Sequence, residues 1–374
     1  MKLSGLKVLD LSTFLPGPML TMMMADHGAE VIKVEPMGAG EPTRGIGAVS
    51  NGQSVYFRNT QRGKRSIQLD LKAADDLALC LELAAEADVV VEAWRPGVAD
   101  RLGVGYAAVK ALNPAVVYCS ISAFGQQGRY RERPAHDLVV QALAGTIAPG
   151  EGPPPALPIM LSADALSAMT GLSAVLMALL GRERSGQGDY LDISMYDAVT
   201  AWTANAVGEV FAHGQAPRLA ASRFWGGAAL YDLYETADGR YLALGGSEAK
   251  FAEALLNGLD RPDLIAAAKT SPGEGQAPVR AFLRQTFKTK PLADWEAWFA
   301  GRDICWAPVR SLKEAFDDPF LIERGMLAFD AEGGQIIGTP IRFQVEPARI
   351  DPHAPALNED GEDIANLGWK RPRP

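Results

Sequence analysis

The first half of the chain alternates between two rhythms of apolar positions. Residues 6–11 (LKVLDL) and 29–34 (AEVIKV) read as buried strands, and residues 19–27 between them as a helix stopped by Gly28. The succession repeats, with a helix over 74–87, a strand over 87–91 (ADVVV), a helix after Tyr106 and a strand over 116–122 (VVYCSIS). An apolar helix over 165–180, a strand over 190–194 and a helix over 195–206 continue it. Such alternation predicts an α/β fold with a parallel sheet carrying helices on both faces. From Tyr231 the rhythm changes. Residues 230–236 and 241–244 flank Asp238-Gly239 as a β-hairpin, and helices follow over 249–298. Residues 340–355 are extended and return towards the first domain, and 357–367 form a last helix.

At 374 residues the chain is too long for one ordinary core, so two domains are expected. The net charge of -9 argues against nucleic-acid binding through a general basic surface, while leaving room for a local cationic pocket. Three cysteines far apart, with no metal spacing among them, read as reduced thiols of a cytosolic protein without a metal site. The N-terminus lacks the apolar core of a signal peptide. No run of about 18 apolar residues stands out, so no membrane span is expected. The final residues, GWKRPRP, read as a loose tail.

Candidate chemistry collects in four places. The loop Ser12-Thr13-Phe14-Leu15-Pro16-Gly17-Pro18 follows the first strand, where a Rossmann half receives its ligand, but it has no GxGxxG, which argues against NAD or FAD. In residues 57–71, Arg58, Arg62, Lys64 and Arg65 crowd a turn at Gly63. They are either a solvated loop or a clamp for a multiply phosphorylated ligand. Trp94 and Arg95 come off a strand end and offer a flat ring and a cation to a nucleotide, with Arg101 closing the same loop. Residues 133–164 hold His136 and the lone carboxylate Asp164, and a Gly/Pro-rich turn over 149–158 can bring them together. That is either a capping aspartate and a loop histidine or a pair of bases facing one substrate carbon. Glu248, on a glycine-flanked loop, is a third candidate acid or base, or an exposed residue at a helix start.

Taken together, LDLSTFLPGP, AEVIKVEP, FRNTQRGKRSIQLDLK, EAWRPGVADRLGVGY, RPAHDLVVQALAG and GRERSGQGDYLDISMYDA resemble the class III CoA-transferase family (CaiB/BaiF), over almost the whole length. That family includes α-methylacyl-CoA racemase. The resemblance implies a Rossmann-like large domain built from residues 1–205 and 316–374, a smaller α+β domain over 206–315, and an interlocked homodimer. It implies acyl-CoA thioesters as substrates, with coenzyme A a part of the substrate and no permanently bound cofactor. Arg58, Lys64, Arg65, Trp94, Arg95 and Arg101 become candidate CoA contacts.

Two chemistries share the pocket in that family. In its transferases the aspartate matching Asp164 attacks the acyl-CoA and then carries CoA as a thioester. In the racemase branch a histidine and an aspartate exchange the α-proton of a 2-methylacyl-CoA through an enolate. The histidine-aspartate pair at His136-Asp137, with Asp164 and with Glu248 steering His136, matches the racemase pattern, and the primary expectation is an epimerase with CoA transfer as the alternative. On that reading the helix dipole keeps Asp164 ionised, and the amides opening the helix after it serve the enolate oxygen.

Overall fold

The computed structural model describes residues 1–147, 157–330 and 332–370. Most of the 149–158 turn and the end of the expected tail lie outside these. The chain divides into two compact units, Met1–Thr203 with Pro319–Pro374, and Ala204–Asp318.

The first unit holds six parallel strands: β1 (Lys7–Asp10), β2 (Glu30–Glu35), β3 (Arg65–Gln68), β4 (Val89–Glu92), β5 (Val117–Ser122) and β6 (Asp189–Ser194). Their spatial order is β3-β2-β1-β4-β5-β6. This is the doubly wound arrangement, whose order reverses between β1 and β4 and opens a crevice beyond the carboxyl ends of those strands.

Period-2 alternation divides the strands between two cores. Val8, Val31, Val89, Val91, Cys119 and Ile121 face one side, where they meet α1 (Pro16–Asp26) and, further along the chain, the helix Ser162–Ser185. Leu9, Ile32, Ile67, Val90 and Tyr118 face the other side, with α3 (Ala74–Glu86); α2 is Val55–Gln61. Both faces are therefore covered, as the near-continuous apolar strands require.

The expected helix at residue 19 begins three residues earlier, because Pro16 and Pro18 suit a first turn that needs no amide donor. Two short helices, α4 (Val98–Arg101) and α5 (Tyr106–Leu112), link β4 to β5. After β5 come α6 (Asp137–Leu143), α7 (Ser162–Ser185) and, beyond β6, α8 (Met195–Ala201). A Cβ at Gly171 of α7 would lie 2.8 Å from Leu20 Cδ1, so glycine is what lets α1 and α7 approach.

The apolar helix expected over 165–180 is the longer, 24-residue α7, which by length and composition alone could cross a membrane. Its Ala163, Ala168, Leu172 and Val175 are nevertheless buried in the sheet core, while Met169, Leu176, Met177 and Leu180 are exposed. The returning chain covers the open edge of β3. Ser66 N–H donates to Asp360 Oδ2 at 2.9 Å and Gln68 N–H to Asn358 Oδ1 at 2.8 Å, so the edge is not left free to pair elsewhere.

The second unit is α+β. Strands β7 (Tyr231–Glu235), β8 (Tyr241–Gly245) and β9 (Trp306–Pro308) form an antiparallel sheet, and Tyr234, Leu242, Phe287, Trp295 and Phe299 lie at the centre of its core.

Candidate active site

The site is assembled by Asp137, which the sequence reading named beside His136 without giving it a structural role. No side chain at the cap position closes the start of α7. Its free amides are instead taken by buried Asp137, whose Oδ1 accepts from Ala163 N–H at 2.7 Å and Asp164 N–H at 3.2 Å. The other oxygen, Oδ2, accepts from Gln141 Nε2 at 2.6 Å. Asp137 opens α6, so one carboxylate ties the start of α6 to the start of α7. His136, at the α6 cap position, and Asp164, in the first turn of α7, consequently line the same cavity of about 620 Å³. Thr13, Phe14, Tyr56, Trp94, Arg95, Arg131 and Arg133 share its wall.

This geometry corrects two expectations. Burial pushes the Asp164 carboxyl up to about 7, and the neighbouring Asp137 charge adds to the shift. Desolvation and a like charge outweigh the helix dipole, which acts within one turn and is already met by Asp137. The amides of Ala163 and Asp164 are spoken for, and Ala165 N–H is bonded within the helix to Leu161 O at 3.0 Å. They are not free oxyanion donors. The Tyr56 hydroxyl is a donor of the required kind on the cavity wall. Burial, then the charges of Asp164 and Glu41, push it up to about 12, so it keeps its proton at neutral pH.

A second cavity of about 360 Å³ lies at the reversal of strand order, lined by Leu11, Val34, Met37, Leu69, Leu71 and Leu102 among others. Thr13 and Trp94 line both cavities, so the two adjoin at those side chains. Trp94 is set by Glu92 at the end of β4, whose Oε2 accepts the Trp94 N–H at 2.8 Å and whose Oε1 accepts from Ser120 Oγ. Burial pushes the Glu92 carboxyl up to about 7.

Four arginines stand near this passage: Arg95, Arg101, Arg131 and Arg133. Gly97, at φ +77°, has no side chain in the space where Arg101 Nη1 and Arg131 Nη2 converge, each 3.4 Å from the position of a would-be Cβ. Arg95, Arg101 and Arg133 are exposed and form no ion pair among the described residues.

The basic segment after Phe57 is not a solvent-facing clamp. Arg58 is 2% exposed and pairs with Asp330 at 2.8 Å, and Arg62 pairs with Asp26 at 2.7 Å. Lys64 is 3% exposed and bonded to Asp10 at 2.9 Å, Pro18 O and Gln61. Arg65 is 6% exposed and meets Glu30 and Asp360. The charges of Arg58, Lys64 and Arg65 are thus answered inside the fold, because a buried cation without a partner carries a large desolvation penalty. Burial would raise the Asp10 carboxyl, but Lys33 and Lys64 hold it far below the usual carboxylate range; burial lowers Lys64 to about 8.

Glu248 stands in the second unit, exposed, at the cap position of the helix Ala249–Gly258. Sequence reading missed Tyr56, Arg131 and Arg133, and named Asp137 only as the neighbour of His136. The two arginines could have been found as cations on the loop running into His136. Nothing in the local pattern around Tyr56 marks it.

The model of a family described as CoA-transferase family III matches residues 3–361. Acetyl-CoA:oxalate CoA-transferase of Acetobacter aceti is 33% identical over 369 residues, spanning 96% of this chain and 93% of that protein. Succinate–glutarate CoA-transferase of Agrobacterium fabrum is 31% identical over 380 residues, spanning 96% and 93%. A CaiB/BaiF family protein from Brucella suis superposes with a TM-score of 0.83 at 31% identity, covering 97% of this chain and 98% of that one. Relatives named for CoA transfer favour the alternative expectation over the racemase.

Proposed function

Since the chain belongs to CoA-transferase family III, we propose that it moves CoA from an acyl-CoA donor to a carboxylic acid through covalent intermediates on Asp164. The observation that carries this reading is the Asp164 carboxylate itself, half-buried in the wall of a cavity that adjoins an apolar cleft at the sheet's switch point. The ionised carboxylate attacks the thioester carbonyl, the C–S bond breaks, and a mixed anhydride and CoA thiolate result. The thiolate then attacks the aspartyl carbonyl, releases the donor acid and leaves an aspartyl-CoA thioester. The acceptor carboxylate repeats the two steps in reverse, and Asp164 is regenerated. Burial raises the basicity of Asp164 and hence its nucleophilicity, at the cost of a partly protonated resting state near pH 7. Tyr56 donates to the oxyanion formed at each addition.

The nucleotide end of CoA fits the cleft between Leu11, Leu71 and Leu102, with Trp94 and Thr13 flanking the pantetheine arm on its way to Asp164. Arg95, Arg101 and Arg131 replace the buried basic segment as the cations facing the phosphates. The two relatives described above are named for oxalate, succinate and glutarate, which makes a small dicarboxylic acid the acceptor to try first. We take the functional unit to be a homodimer, in which a second copy covers the exposed Met169, Leu176, Met177 and Leu180 of α7.

His136 on the same wall as Asp164 keeps a second reading alive, α-proton exchange on a 2-methylacyl-CoA. One experiment separates the two. Acyl-CoA donors are incubated with a panel of dicarboxylic acids in heavy water, and the products are weighed. Transfer of CoA without deuterium at the α-carbon is the expected result. Deuterium uptake without transfer to any acid overturns the transferase reading and installs the epimerase.

A further inference from the structure

We propose that Phe14 is a positioning residue for the His136 imidazole, held in a left-handed backbone conformation by the buried carboxylate of Glu41. Four non-glycine residues have positive φ among the described residues: Phe14, Asn51, Asp260 and Asn358. Asparagine and aspartate adopt that region readily, and phenylalanine does not. An aromatic residue at φ +66° therefore stays there only if its surroundings impose it, and such residues concentrate at functional sites.

The imposition is visible. Phe14 N–H donates to Glu41 Oε1 at 2.9 Å. Glu41 is itself fixed, because its side chain also takes the Thr43 hydroxyl at 3.2 Å and its own N–H donates to Glu35 Oε2 at 2.8 Å. Lys33 Nζ lies 3.6 Å from Glu41 Oε2 and also donates to the carbonyl of Ser12, two residues before Phe14. One buried lysine–glutamate pair thus pins the loop just before the strained residue and at its own amide.

The strain puts a ring in the cavity wall. Phe14 remains 38% exposed, so it is not there to fill a core. Its ring stands edge-on to His136, with centroids 5.9 Å apart and planes at 77°. Among the described residues no hydrogen bond reaches either ring nitrogen of His136, and His136 does not cap α6 with its side chain. His136 is exposed, and the Phe14 edge is the aromatic contact it makes among the described residues. A relaxed Phe14 backbone would carry the ring away and leave His136 free to rotate about its side-chain bonds. The inference holds whichever role His136 plays, and only its kinetic arm rests on the acyl-CoA reading of the cavity.

The test compares Phe14→Gly, Phe14→Leu and Phe14→Tyr. Glycine adopts the left-handed region without strain, so Phe14→Gly should melt no lower than the parent. The first readout is the chemical shift of the His136 ring protons, assigned by their loss in His136→Ala. Phe14→Gly and Phe14→Leu should lose the ring-current displacement, and Phe14→Tyr should keep it. The second readout is kinetic. Where His136 acts as a base in α-proton exchange, the ring-free variants should lose up to about tenfold in the rate of that exchange, the upper end of what an edge-to-face pair is worth, with KM for acyl-CoA nearly unchanged and Phe14→Tyr restoring the rate. Parent-like His136 shifts in both ring-free variants would overturn the proposal, as would a folded Phe14→Tyr that behaves like glycine. If the parent enzyme neither transfers CoA nor exchanges α-protons, the functional reading falls, and the His136 shifts still decide the fate of this one.

Discussion

Asp164 is the group on which the proposed transfer rests, and its environment sets two opposed consequences of pH. Its carboxyl is pushed from an ordinary value of 3.8 to about 7. Between those values the folded chain binds a proton that the unfolded chain has lost, so this group's contribution to stability falls as pH rises from about 4 to about 7 and is lowest above that. Activity runs the other way, because only the ionised form attacks, and kcat/KM should climb through pH 7. Asp164→Asn should therefore abolish transfer by about 10³-fold or more, yet melt higher than the parent at pH 8, with the gap closing towards pH 5. Scanning calorimetry at the two pH values checks the second half. A variant that melts lower at pH 8 would mean that Asp164 is not burdened by burial.

At the scale of elements, the junction of α6 with α7 is what makes the site. Asp137 supplies both a cap for α7 and a charge that raises Asp164. The two effects separate on substitution. Asp137→Asn retains an acceptor oxygen for the α7 amides and removes the charge, so the midpoint of the pH–rate profile should move to lower pH with little change in melting temperature. Asp137→Ala removes the cap as well and should destabilise the fold by about 1–2 kcal/mol in denaturant titration. An unchanged pH midpoint in Asp137→Asn would assign the Asp164 shift to burial alone. The first-strand loop and the Trp94 loop are set by the same device, a buried carboxylate taking a backbone amide: Glu41 for Phe14 and Glu92 for Trp94.

At the scale of the whole molecule, the buried cations join segments remote in sequence. Lys64 to Asp10, Arg65 to Asp360 and Arg58 to Asp330 tie the basic segment to the first strand and to the returning chain. Lys64→Ala should accordingly lower stability by about 1.5–3 kcal/mol, since it takes from the buried Asp10 carboxylate one of its two cations and leaves Lys33 as the other, whereas Arg95→Ala should leave the melting temperature alone and raise KM for acyl-CoA. If instead Lys64→Ala folds normally and loses only CoA affinity, the segment is a ligand clamp after all.

That contrast also marks how far the sequence could be read. Strand and helix periods along the first half of the chain are local, so a parallel sheet with helices on both faces was legible in the sequence. His136 and Asp164 were legible as rare groups in an apolar neighbourhood. The burial of the basic segment was not, because its partners Asp330 and Asp360 lie on a distant return of the chain and a cluster of cations looks alike solvated or paired. The part played by Asp137 was hidden for a related reason. Its ligands are backbone amides at the start of α7, and backbone leaves no mark in composition.

The central claim is covalent chemistry at Asp164, and intact mass spectrometry of the protein quenched during turnover with an acyl-CoA tests it most directly. The account predicts a species heavier by one CoA less one water, sensitive to hydroxylamine, with the adduct mapping to the peptide that contains Asp164 and missing from Asp164→Asn. Turnover with no adduct at any time, accompanied by deuterium at the α-carbon in heavy water, would contradict it.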